Sequence, residues 1–169
     1  MYKKSISLIA IGLTICTGLV AQNTKTMKTI NNNAPVTCTK TITINASPKK
    51  VWETLTTIAN WNTWQSAVSE SKLNGELKPN TEFDWKAGGT KIHSRLHTVE
   101  PYSEFGWTGK AYTIYAIHNW TLKETSGATE VIVSESMEGF LAKLFKKSLY
   151  KTVEKGMMTS LEDLKKASE

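Results

Sequence analysis

The chain has 169 residues, 40% of them hydrophobic, with 21 basic and 15 acidic side chains and a formal charge of +6. That describes one ordinary domain with enough apolar mass for a sizeable core, and no repeat or long charge block divides it. Arg95 is the sole arginine, and specific phosphate and base readout favours the guanidinium fork, so nucleic acid is disfavoured as a partner.

Residues 1–21 stand apart. Lys3 and Lys4 precede an uncharged apolar run from Ile6 to Ala21, which matches the charged start, apolar middle and small-residue end of an export signal cleaved near Ala21. An uncleaved anchor is the alternative, disfavoured by the run's length. Lipid attachment at Cys16 is disfavoured by the bulk of Ile15. Cleavage removes Lys3 and Lys4 and leaves 19 basic against 15 acidic residues, a net +4. It also leaves Cys38 alone, so no internal disulfide can form and the core must hold the exported domain.

Residues 22–35 lack periodicity and read as a flexible lead-in. Val36, Cys38, Ile42 and Ile44 then share one parity, with threonines on the other and only Lys40 breaking the pattern. This is a strand with one apolar face. Ser47 can cap a helix and Pro48 suits its first position, where a missing N–H costs nothing. Val51, Trp52, Leu55 and Ile58 recur at helical spacing, and a short segment with Trp61 and Trp64 follows. A helix of so few turns needs an apolar surface to lie on.

After Ser66 the period becomes two. Strands are expected at Val68 to Leu73, Thr81 to Trp85, Thr90 to Val99, Glu104 to Lys110, Tyr112 to Lys123 and Thr129 to Met137. Asn74-Gly75, Pro79-Asn80, Gly88-Gly89, Pro101 and Ser126-Gly127 punctuate them, and spacers this short join only antiparallel neighbours. From Phe140 to Ala167 one helix is expected, with Leu141, Leu144, Phe145, Leu149, Val153, Met157, Leu161 and Leu164 on one stripe. The class is α+β, with helices on one face of a curved antiparallel sheet.

The strings INASPKKVWETLTTIANWNTW, EFDWKAGG, KIHSRLHTVEP, EFGWTGK, AIHNWTL and ATEVIVSESMEG, with the long last helix, resemble the START-like, birch-pollen-allergen-type superfamily. Within it the match is to small bacterial polyketide cyclase/dehydrase and lipid-transport (SRPBCC) proteins, over residues 36 to 167. The resemblance implies a helix-grip fold: seven antiparallel strands curved around the C-terminal helix, two short helices after the first strand, and an apolar cavity between. Relatives include carriers, receptors, allergens and a minority of cyclases and hydrolases, so the fold says little about chemistry.

If the sheet curls in this way, one parity of each strand lines the interior. The candidate ligand-binding residues are then Phe83, Trp85, Ile92, Ser94, Leu96, Trp107, His118, Trp120, Val133, Glu135 and Met137, with Leu149, Val153 and Met157 from the helix. The opposite parity, with Glu82, Asp84, Lys86, Lys91, His93, Arg95 and His97, reads as a solvated face. Such an interior suits a small hydrophobic guest, although the same side chains also serve as a packed core. Ser94, His118 and Glu135 are polar and need partners. His118 and Glu135 lie on adjacent strands, where they can pair structurally, orient a ligand's polar head, or act as general acid and base.

No metal-ligand cluster, phosphate loop or nucleophile elbow is present, and no cofactor is expected. Lys143, Lys146, Lys147, Lys151, Lys155, Lys165 and Lys166 make either a solvated face or a contact with an acidic membrane. Three functions remain open: an exported carrier of a hydrophobic ligand, a cyclase- or hydrolase-type enzyme using His118 and Glu135, and an envelope interaction protein with a filled core.

Overall fold

A computed structural model describes residues 27–169; the expected export signal and Cys16 lie outside the described residues. Seven strands form a single antiparallel sheet in the order β1-β7-β6-β5-β4-β3-β2. They are β1 Val36–Ile44, β2 Val68–Leu73, β3 Glu82–Ala87, β4 Thr90–Glu100, β5 Glu104–Ala111, β6 Ile114–Thr125 and β7 Ala128–Gly139. Each strand from β2 to β7 pairs with its neighbour in sequence, and β1 closes the sheet against β7. The meander and the expected seven-stranded helix-grip class are therefore the observed fold.

Helix α1, Pro48–Thr56, begins at Ser47, whose side chain accepts from the Lys50 N–H, with Pro48 in the first turn. Its buried residues include Val51, Trp52 and Leu55. A turn of 3-10 helix at Ile58–Asn60 leads into the single turn of α2, Trp61–Trp64. Trp61 is buried and donates its indole N–H to the Leu55 carbonyl at 2.8 Å. That bond satisfies the polar end of a large apolar side chain and ties α2 to α1.

The last helix departs from the expected single rod. It divides into α3, Phe140–Leu144, and α4, Lys146–Ser168, with Phe145 at φ −108° and ψ 27° between them. Val153, Met157, Leu161 and Leu164 are buried as the stripe requires, whereas Leu144 and Phe145 are exposed. The break ends the stripe where the chain leaves β7, before α4 settles along β1.

Two other expectations change. Of the lead-in expected over 22–35, the described part, residues 27–35, bonds to β6 and β7: Asn119 Nδ2 donates to the Lys28 carbonyl at 2.8 Å, and Asn31 Nδ2 to Glu138 Oε1 at 3.0 Å. Tyr112, expected to start a strand, sits in a tight turn with φ 52°, since Ala111 pairs directly with Ile114. Lys40, the residue that broke the β1 alternation, reaches Glu154 of α4 at 2.6 Å. The Lys40 hydrogen bond lowers the Glu154 carboxyl pKa, and the same bond raises that of Lys40.

Candidate ligand cavity

The strand registers lay the inward side chains out in rows across the sheet. Leu96, Trp107, His118, Glu135 and Cys38 make one row, and Phe83, Ser94, Gly109, Ala116, Met137 and Val36 the next. At the α1 end, large side chains fill the space: Trp52 meets Phe105 edge-on at 5.9 Å, and Phe105 meets Trp107 at 5.5 Å. Toward the β5–β6 turn the inward positions shrink to Gly109, Ala111 and Ala116 on the sheet, Ala87 on β3, and Gly156 on α4. Small residues there leave room, and a cavity of about 450 Å³ opens between the sheet and α4. Interiors pack densely by default, so a hollow of this size marks a place where side-chain volume has been withheld.

Ten of the fourteen candidate residues line it: Trp85, Ile92, Trp107, His118, Trp120, Glu135, Met137, Leu149, Val153 and Met157. Phe83, Ser94, Leu96 and Val133 do not. Phe83 is covered by Trp61 and Trp107, at 5.6 and 5.7 Å, while Leu96 and Val133 are fully buried in the core. Ser94 lies behind the wall, where its hydroxyl accepts the Trp85 indole N–H at 3.0 Å.

Among the lining residues that sequence reasoning missed, the largest is Trp61. It lines the cavity and joins an aromatic cluster, with ring centroids 5.6 Å from Trp85 and 5.4 Å from Trp107. Its burial was legible from the apolar helix before it, but its position against β3 and β5 depends on the turn at Ile58–Asn60. The small lining residues were legible too, since Gly109, Ala111 and Ala116 share the parity of Trp107 and His118.

His118 and Glu135 are directly paired across β6 and β7, with Nδ1 3.0 Å from Oε2. Their side chains are 14% and 12% exposed. The imidazole stacks on Trp107 at 4.4 Å with an interplanar angle of 14°, which fixes the ring plane, and the carboxylate fixes its rotation. A carboxylate accepts here, so the Nδ1–H tautomer is the one this contact selects. His118 Nε2 and Trp120 Nε1 have no hydrogen-bond partner among the described residues and are closed to solvent.

The outer face is charged as expected. His93 Nδ1 lies 2.8 Å from Asp84, and Arg95 bonds Glu82. Hydrogen bonds from Arg95 and His93 hold the Glu82 and Asp84 carboxyls, respectively, below their usual range. His97 departs from a fully solvated position: it is half-buried on a β4 bulge, with Nδ1 2.8 Å from Thr98 Oγ1. Among the described residues, no three His, Cys, Asp or Glu side chains are grouped to hold a metal ion.

The family model for polyketide cyclase / dehydrase and lipid transport matches residues 35–169. Among curated proteins none matches the chain. Solved structures share the fold at low identity. A hypothetical protein of Helicobacter pylori is 18% identical at TM-score 0.74, over 85% of this chain and 98% of that one. A Thermus thermophilus protein is 13% identical at TM-score 0.68, over 78% and 96%. An aromatase/cyclase from a Streptomyces species is 12% identical at TM-score 0.70, over 78% and 92%. Likeness at these identities carries the fold, and the chemistry has to be argued from the cavity.

Proposed function

The chain belongs to the polyketide cyclase/dehydrase and lipid transport family, and from that premise we propose that it is an exported carrier of a small hydrophobic, lipid- or polyketide-like ligand. The observation that carries this reading is the cavity of about 450 Å³ with walls of tryptophan, isoleucine, methionine, leucine and valine. Binding draws on apolar burial, worth about 25 cal/mol per Å² before association costs. His118 and Glu135 supply one polar spot in the wall, for a guest with a polar group at one end. Export rests on the charged and apolar pattern of residues 1–21.

Two rival readings fare less well. An envelope interaction protein needs a filled interior, and this interior is hollow. The acid–base reading rests on the His118–Glu135 contact alone, and a purely structural pair across β6 and β7 gives the same contact.

Native mass spectrometry of the protein from its own host, together with uptake of anilinonaphthalene sulfonate, tests the carrier. We expect a co-purifying apolar molecule and saturable dye uptake. Repeated absence of both would overturn the reading. Turnover of an identified ligand that disappears in His118→Ala, with affinity retained, would move the assignment to the enzyme.

A further inference from the structure

The cavity reaches the surface beside a patch that the core does not explain. Tyr112 lines the cavity and is 85% exposed. Next to it Phe140 is 68% exposed, Leu144 60% and Phe145 55%. These side chains belong together structurally. Gly139 pairs with Ile114, and the Leu141 N–H donates to Thr113 Oγ1 at 3.3 Å, so α3 is pinned against the Tyr112 turn. At φ 115°, Gly139 approaches so closely that a Cβ would overlap the Thr113 carbonyl oxygen. Large apolar side chains scattered singly are ordinary, but three exposed within α3 and the residue after it, on a segment pinned to the cavity-lining Tyr112 turn, are not.

The charge around the patch is predominantly positive. Residues 139–152 contain Lys143, Lys146, Lys147 and Lys151 and no acid, and all four lysines are exposed. Lys110 is exposed at the end of β5. Of the flanking acids, Glu154 is paired with Lys40, and Glu138 accepts from the neutral Asn31 amide and keeps its charge, one acid against the five lysines. Aromatic and leucine side chains ringed by lysines match a lipid surface with acidic headgroups: the apolar groups enter the acyl boundary while the ammonium groups meet phosphate.

We propose that the α3 segment and the Tyr112 turn form a docking surface for an anionic bilayer, with the cavity mouth held against the lipid. A ligand then passes between membrane and cavity without crossing water. The docking rests on the carrier reading for its purpose alone, because vesicle binding and cavity uptake are measured separately.

The test uses the protein as its host processes it, so every variant shares the same N-terminus. It is sedimented with vesicles of phosphatidylglycerol and phosphatidylcholine, and with phosphatidylcholine alone. The expected result is binding to the anionic vesicles only. Lys143→Glu/Lys146→Glu/Lys147→Glu weakens it about tenfold or more, and Phe140→Ser/Phe145→Ser weakens it several-fold. Dye uptake stays unchanged in both, since none of these residues lines the cavity. Equal binding of parent and variants would overturn the proposal, as would equal binding to neutral and anionic vesicles. So would a concentration-dependent dimer that Phe145→Ser abolishes in a parent that ignores vesicles.

Discussion

The indole N–H of Trp85 donates to Ser94 Oγ across 3.0 Å, between neighbouring strands β3 and β4. Ser94 is thereby committed to holding a cavity wall in place. Ser94→Ala leaves a part-buried donor unmet and is expected to cost about 1 kcal/mol in urea unfolding, with ligand affinity falling only several-fold as Trp85 loosens. A loss near a hundredfold in affinity at unchanged stability would put Ser94 on the ligand instead.

The His118–Glu135 contact yields a cycle of variants. His118→Phe keeps a ring against Trp107 but strands a carboxylate that is 12% exposed, at an expected cost of about 2–4 kcal/mol. In His118→Phe/Glu135→Leu that charge is gone, and most of the stability returns. Denaturant midpoints of the four proteins give the coupling directly, and additive losses would mean that the two side chains do not act as a pair.

Gly156 separates cavity volume from fold stability. It lies within α4 and lines the cavity, and an added Cβ there meets nothing within 4 Å. Gly156→Ala should stabilise by about 0.5–1 kcal/mol, the usual gain for replacing a helical glycine. Gly156→Phe should keep the fold, measured by thermal unfolding, and lose dye uptake because the ring occupies the hollow. Normal uptake by a folded Gly156→Phe protein would place the dye elsewhere.

The Lys40–Glu154 pair predicts a pH profile. The folded pKa of Glu154 lies below its ordinary 4.5, so its contribution is complete above that value and is lost as pH falls through the lowered one. Lys40 is raised above 10.5, so its share is complete below that value and is lost as pH rises through the raised one. Thermal midpoints of the parent and Glu154→Gln should therefore differ by a constant amount at neutral pH and converge in strong acid. A gap undiminished at about pH 2 would show that the carboxylate's charge is not what stabilises.

How much of the site was legible depended on how local its causes are. Parity alone placed Trp107, His118 and Glu135 on the inner face, because successive strand residues must point to opposite sides. The same parity placed Phe83, Leu96 and Val133 there, yet these are core. Whether an inward residue meets a ligand or another side chain depends on the summed volume of its row and of the helix above it. Trp61 was hidden for a related reason, since its partners lie on strands far along the chain.

By itself the sequence determined the antiparallel meander, the cap at Ser47 and the apolar faces of strands and helices, since alternation, turn residues and capping act within a few positions. Only the tertiary structure decided where the hollow opens, that Ser94 serves Trp85, that Lys40 belongs to Glu154, and that the break at Phe145 leaves Leu144 and Phe145 exposed. These follow from contacts between segments distant in the chain, where packing volume and hydrogen-bond geometry select one partner among several that local pattern allows.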